Sequence, residues 1–264
     1  MMKRWLITGI SSGIGAALAR AALDRGDAVI GTARDEAACA AFEAIAPGRA
    51  IALRLDIAIH ADIPGAIARA FDGGPIDIVV SNAGRSLFGA FEETALDEVK
   101  ALFDVNVFGT WAVAEAVLPR LRAQGGGILV HVSSGCGING TPGLSAYSAS
   151  KFAIEGFTEA LVREVARFGI KAMLVEPGAI NTRFISHGTR ATTRRLPEYD
   201  FLSGAGKDAL DAYYATAGAP PETVAQAIIA AIESDDPPLR LVVGDDVRAS
   251  VAAKAVAFAA LGSG

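Results

Sequence analysis

Apolar residues in this chain gather into short continuous runs, set apart by longer segments in which they recur about every 3.6 residues. Seven runs have strand length and little polar interruption, at 4–8, 28–32, 50–55, 76–81, 128–133, 170–176 and 239–243. Strands of this kind are buried on both faces, as in a parallel sheet covered by helices on either side. The segments 15–25, 35–45, 61–71, 94–124 and 145–168 carry the helical period, the fourth with a break near Val105. Strand and helix alternate without a Pro/Gly-rich linker. This predicts an α/β fold, one doubly wound parallel sheet of about seven strands with helices on both faces, in a single domain over residues 1–264. Residues 183–221 depart from the pattern. They have weak periodicity and hold Gly188, Gly204, Gly206 and Gly218, which reads as a lid over a substrate site. The Ala-rich end VAAKAVAFAALGSG suits a last helix or a partner-facing tail.

Composition narrows the class. The 264 residues are 52% hydrophobic and 20% charged, which predicts a large core, and a net charge of −5 with no basic run argues against nucleic acid as a partner. The opening MMKRWLITG runs straight into a strand and has no signal-peptide core, and no apolar run reaches membrane-spanning length. Cys39 and Cys136 are far apart, with no metal-ligand spacing around them. The expectation is a cytoplasmic protein without disulfides, metal or membrane partner.

Three stretches carry chemistry. Thr8-Gly9-Ile10-Ser11-Ser12-Gly13-Ile14-Gly15 follows the first strand and opens the first helix. Glycines there let the backbone approach a pyrophosphate, and the helix N-terminus presents unpaired N–H groups at its positive end. The spacing is GxxxGxG rather than the commoner GxGxxG. At the end of the second strand an NAD site holds the ribose 2′-hydroxyl with an acid, but this chain has Ala33 and then Arg34. Arg34 suits the 2′-phosphate of NADP, with a hydroxyl at Ser11 or Ser12 beside it. Asp35 is the competing acid, although it also suits the cap of the next helix. Finally, Tyr147-Ser148-Ala149-Ser150-Lys151 sets a tyrosine and a lysine at i, i+4 on one helix face. An ammonium there is expected to lower the Tyr147 pKa from about 10 and fit it for acid/base work. Ser134, thirteen residues earlier at a strand end, is the candidate donor to a substrate oxygen, with Ser133 competing. None of His60, His131 and His187 has a matching nucleophile nearby, which disfavours a hydrolase.

Together TGISSGIG, LDI at 55–57, NAG at 82–84, Asn106 in VNVFG, Ser133–Ser134, YSASK and PGAINT at 177–182 resemble the short-chain dehydrogenase/reductases, in that family's order and spacing. The resemblance covers about the first two-thirds of the chain, with SNAG standing for the commoner NNAG. It implies a Rossmann fold and an oxidoreductase using NADP(H), or NAD(H), on a secondary alcohol or ketone. It also implies a catalytic set of Asn106, Ser134, Tyr147 and Lys151. In that set Lys151 also bonds the nicotinamide ribose, and Asn106 holds a water linking Lys151 to solvent. Cofactor contacts are implied for Gly9, Ser11, Ser12, Gly13, Ile14, Gly15, Arg34, Asp56, Ile57, Asn82, Ala83, Gly84, Pro177, Gly178, Ile180 and Thr182, and a homodimer or homotetramer is implied as the assembly. A non-catalytic dinucleotide sensor and an epimerase of the family's longer branch are the rival readings. An apolar substrate wall is expected from Leu87, Phe88, Phe91, Cys136, Ile138, Leu144, Phe184, Tyr199, Phe201, Tyr213 and Tyr214. Arg183, Arg190, Arg194 and Arg195 are expected on a solvated lid face, with contact to a substrate carboxylate as the alternative.

Overall fold

In the computed structural model, which describes residues 2–182 and 188–261, the seven apolar runs form one parallel sheet. The strands are β1 (Arg4–Thr8), β2 (Ala28–Ala33), β3 (Ala50–Arg54), β4 (Ile78–Ser81), β5 (Ser86–Phe88), β6 (Gly127–Val132), β7 (Ile170–Pro177), β8 (Thr189–Ala191) and β9 (Arg240–Val243). The helices are α1 (Gly13–Asp24), α2 (Glu36–Glu43), α3 (Ile63–Phe71), α4 (Leu96–Phe103), α5 (Thr110–Gln124), α6 (Ser145–Val165), α7 (Asp200–Ser203), α8 (Ala205–Ala217), α9 (Pro221–Glu233) and α10 (Asp245–Leu261). The sheet order is β3-β2-β1-β4-β6-β7-β9, and each neighbouring pair is parallel.

Every residue of β2 and β4 is buried, which is why these strands read as unbroken apolar runs. One face packs on α1 and α9 through Leu18, Leu23, Val224 and Ile228. The other packs on α3, α5 and α6 through Ile67, Val117, Leu121 and Val165. Each such side chain contributes about 1.5–3 kcal/mol by leaving water. The strand order reverses between β1 and β4, so a crevice opens at their carboxyl ends, where ligands meet such sheets.

Three features refine or depart from the sequence reading, the first being the break expected near Val105. The 94–124 segment divides into α4, a six-residue π-helical turn at Asp104–Gly109, and α5. The wider turn carries Asn106 into the interior, where it is 1% exposed. Within Leu96–Gln124 an 18-residue stretch reaches a mean hydropathy of 1.4, long and apolar enough by composition to cross a membrane, where no apolar run of that length was expected. Val113, Val117 and Leu121 nevertheless pack into the core against the sheet. Second, β5 and β8 were not foreseen; they pair in parallel as a separate two-stranded sheet, Leu87 opposite Arg190. Third, the segment after residue 188 is not irregular, since α7 and α8 occupy much of it. Arg183, Phe184 and His187, which fall within the lid expected over 183–221, lie outside the described residues.

Candidate active site

Thr8 ends β1 and organises the crevice. Its hydroxyl accepts the backbone N–H groups of Asn82 and Ala83, each at 3.0 Å. In return the Asn82 amide donates to the carbonyls of Thr8 (2.9 Å) and Gly9 (3.1 Å). The β1–α1 turn is thereby pinned to the end of β4. Gly9 and Gly13 have φ of +76° and +60°, a left-handed backbone that glycine adopts without cost. Gly15 has a different reason. A Cβ there would collide with the Gly9 carbonyl and the Asn82 amide. Ser12 makes no side-chain cap to α1, so the first N–H groups of that helix stay open toward the crevice. A glycine-lined turn feeding an uncapped helix N-terminus fits a pyrophosphate.

A cavity of about 660 Å³ follows from this turn across the sheet edge. Its wall contains Gly9, Ser11, Ser12, Gly13, Ile14, Arg34, Asp56, Ile57, Asn82, Ala83, Gly84, Ser134, Tyr147, Lys151, Pro177, Gly178, Ile180 and Thr182. Of the expected site residues only Gly15 and Asn106 stand behind it. At one rim, Arg34 and Asp35 both line the cavity, and one oxygen of Asp35 also caps α2 by accepting the Ala38 N–H at 2.8 Å. At the other end, the turn after β7 is held by the first turn of α10. The Ala179 N–H donates to Asp246 at 2.9 Å, and a Cβ on Gly178 would overlap that carboxylate. The C-terminal helix thus supports the cavity wall, a role its Ala-rich sequence does not announce.

Tyr147 and Lys151 face the cavity from α6 and are 7% and 5% exposed. The Ser134 hydroxyl accepts the Cys136 N–H and bonds Tyr147, whereas Ser133 turns away toward Glu155. This separates the two serines that the sequence left in competition. Burial pushes the Tyr147 phenol above its ordinary range, and the bond from Ser134 works against that push. Here the sequence expectation needs correction. The net shift of Tyr147 is upward: the Lys151 ammonium lies 5.7 Å from the phenol ring centroid and is engaged with the Val132 carbonyl at 2.8 Å, and burial outweighs the lowering expected of it. Burial itself depresses Lys151 to about 8, with the charges of Cys136 and Glu155 opposing. Asn106 serves the backbone. Its Oδ1 accepts the Arg85 N–H and its Nδ2 donates to the Arg85 carbonyl, both at 2.9 Å. The same Nδ2 reaches Ser150 Oγ at 3.0 Å, and that hydroxyl donates to the Tyr147 carbonyl at 2.7 Å.

Near Tyr147 the wall is Leu144, Leu210 and Tyr214. Other expected pocket residues lie elsewhere. Leu87 and Phe88 are core residues packed with Leu144 and Tyr147, while Phe91 (80%) and Phe201 (72%) are exposed because their helical turns face outward. Arg190 lines the cavity beside Arg85 rather than belonging only to a solvated face, and Arg195 donates to the Ser203 carbonyl. Arg85 was missed, although it directly follows the NAG stretch. Among the described residues no group of three His, Cys, Asp or Glu side chains is arranged to hold a metal ion.

A doubly wound parallel sheet with a glycine-lined helix N-terminus and a buried Tyr/Lys/Ser edge defines a Rossmann-fold oxidoreductase. Residues 3–192 match the family model described as short chain dehydrogenase. Oxidoreductase BOA17 of Botryotinia fuckeliana is 37% identical over 93% of this chain and 90% of its own. The 3-ketodihydrosphingosine reductase of Bacteroides thetaiotaomicron is 33% identical over 90% of this chain and 87% of its own. A short-chain dehydrogenase structure from Streptomyces avermitilis superimposes with a TM-score of 0.91 at 38% identity, covering 98% of this chain and 94% of that one. The chain belongs to the short-chain dehydrogenase/reductase family and is an oxidoreductase acting on CH–OH/C=O groups.

Proposed function

We propose that this protein is an NADP(H)-dependent oxidoreductase of a hydrophobic secondary alcohol or ketone, with residues 183–221 closing over the substrate. The observation that carries the reading is the Ser134–Tyr147 bond beside buried Lys151, in the same cavity as the glycine-lined turn. The open N-terminus of α1 would hold the pyrophosphate, with Asp56 and Ile57 toward the adenine and Pro177, Gly178, Ile180 and Thr182 toward the nicotinamide. The nicotinamide supplies or takes the hydride when bound. Tyr147 Oη gives its proton to the substrate oxygen in reduction and takes one in oxidation. Ser134 Oγ donates to the same oxygen and stabilises charge developing there. Lys151, held by the Val132 carbonyl, keeps a positive charge below the phenol and favours its ionised form. Asn106 holds the Arg85 backbone and, through Ser150, the turn that carries Tyr147.

Arg34 on the rim, with one oxygen of Asp35 capping α2, supports NADP(H) over NAD(H). Leu144, Leu210 and Tyr214 support an apolar substrate, and the ketone reductase from Bacteroides thetaiotaomicron is a relative with a matching name. A homodimer or homotetramer in the cytoplasm completes the proposal. It is tested by following nicotinamide absorbance with NADPH and NADH against a panel of hydrophobic ketones, and with NADP and NAD against the corresponding alcohols. Failure to turn over any pair, with no cofactor binding by calorimetry, would overturn it.

A further inference from the structure

One turn beyond Lys151 on α6, and under the strand end that bears Ser134, two carboxyl groups meet in the interior. Glu176, the penultimate residue of β7, is 0% exposed, and Glu155 is 6% exposed. One guanidinium serves both. Arg240 Nε lies 3.2 Å from a Glu155 oxygen and 3.2 Å from a Glu176 oxygen, while its NH2 group reaches Glu159 at 3.1 Å. Ser133 Oγ and Glu155 Oε1 lie together against Gly137, where a Cβ would strike the hydroxyl and crowd the carboxylate.

If both carboxyls are ionised, this geometry does not balance. Neither Glu176 oxygen finds a donor with hydrogen-bonding geometry, and Glu155 Oε1 has only the Ser133 hydroxyl beside it. A buried carboxylate without donors costs several kcal/mol, and Glu176 would be one while sharing Arg240 with Glu155, whose Oε2 takes the Arg240 hydrogen bond. A single proton resolves both deficits. Carried on Glu176, it donates to Glu155, leaving one negative charge on Glu155 opposite one positive charge on Arg240. Burial and the neighbouring Glu155 both push Glu176 up, to about 7, in keeping with that arrangement.

The charged and titratable groups around the pair are few. Arg240 faces it from β9, and Glu159 and Lys151 flank it on α6 itself. His131, two residues before Ser133 on β6, is neutral above about 4 because burial and the Lys151 charge depress it. From the Gly135–Gly137 turn comes only the Cys136 thiol. The Glu155 carboxylate is one of the two charges that raise Lys151 against the effect of burial.

We propose that Glu155 and Glu176 form a proton-sharing acid pair, closed toward solvent by Arg240, in which Glu155 is a positioning residue that holds the Lys151 ammonium in its charged form. Glu176 stores the proton that lets Glu155 sit ionised in the interior. The inference rests on Lys151 serving Tyr147 as proposed above, but its test does not need turnover.

In wild-type protein carrying δ-carbon-labelled glutamate, the expected NMR result is a carboxyl titration near neutrality, well above the ordinary range of about 4.3. A protein in which every glutamate titrates in the ordinary range would overturn the proposal without any variant. The Lys151 titration is followed at its ε-methylene, assigned by its loss in Lys151→Met. Glu155→Gln should lower it by roughly one pH unit, the order of a single nearby charge's effect in a partly screened interior. Glu176→Gln should abolish the near-neutral carboxyl step and leave Lys151 near its wild-type value. Glu159→Gln, on the exposed side, should change neither. With turnover in hand, the alkaline limb of kcat/KM in Glu155→Gln should fall roughly one pH unit early, about tenfold in rate at a given alkaline pH. An unmoved Lys151 titration in Glu155→Gln would sink the positioning role even if the enzyme is active. Inactive wild type with the predicted titrations would instead fault the functional reading alone.

Discussion

Lys151 should cost the fold stability while serving its chemistry, and Lys151→Met tests that directly. The ammonium is 5% exposed, and its pKa falls from the ordinary 10.5 to about 8. At about 1.4 kcal/mol per tenfold change, that depression corresponds to about 3 kcal/mol of destabilisation wherever the lysine is charged in both states. The sign follows from proton linkage. Below pH 8 folded and unfolded chains both hold the proton, so the fold carries the whole cost. Between about 8 and 10.5 the unfolded chain keeps a proton that the fold has released, so the cost fades as pH rises. Methionine removes the charge and roughly keeps the stem, but it strips a donor from the Val132 carbonyl, a loss of about 1–2 kcal/mol. The variant should therefore be about 1–2 kcal/mol more stable than wild type at pH 7 and no more stable at pH 10.5. Urea unfolding at both pH values reads the difference. A Lys151→Met protein less stable than wild type at pH 7, or a difference that ignores pH, would refute the reasoning. The same variant should lose both rate and cofactor affinity, since one ammonium is proposed to serve both.

Tyr147→Phe should keep cofactor affinity and lower kcat by about 10²–10⁴-fold, the range of a lost general acid/base, as read by steady-state kinetics and calorimetry. Arg34→Ala should collapse a wild-type NADPH preference on the order of 10–100-fold in kcat/KM, and a wild type that prefers NADH would show that Asp35 acts on the cofactor despite its cap. Hydrogen exchange over residues 188–221 should slow on adding NADP, because closure of this segment is proposed to accompany binding; equal strong protection in both states would contradict it. Light scattering should give a multiple of the 27.1 kDa chain, given that Phe108, Trp111 and Phe152 are 51%, 55% and 40% exposed on the helices flanking the sheet.

The inner strands of the sheet were legible because they are largely buried on both faces and written mostly with apolar residues, while the edge strands β3 and β9 are partly exposed. The 28–32 run became Ala28–Ala33 and the 170–176 run became Ile170–Pro177. The glycine turn and the Tyr147/Lys151 pair were legible because local backbone needs fix their residues within a few positions. What stayed hidden depends on distant partners. β5 and β8 are three residues each, too short to show a period, and exist only because residue 86 meets residue 189. Lys151 lies on the predicted helix face, yet its ammonium answers to a carbonyl nineteen residues away on β6. The outward direction of Phe91 and Phe201 is likewise set by where short helical turns dock, not by their own composition.

The same logic explains why ionisable groups gather at one edge of an otherwise apolar sheet. Lys151, Glu155, Glu176 and His131 are all buried, and each has a pKa moved toward its uncharged form by desolvation. An apolar set of similar volume would fold more tightly, since buried charges rarely recover their desolvation. Their arrangement has an order, however. Glu155 opposes the loss of charge on Lys151, Arg240 opposes it on Glu155, and only Arg240 reaches solvent. A positive charge is thereby held beneath Tyr147 by groups that each offset part of the next one's burial. The two apolar layers on α1–α9 and α3–α5–α6 supply the stability against which that chain of charges is maintained.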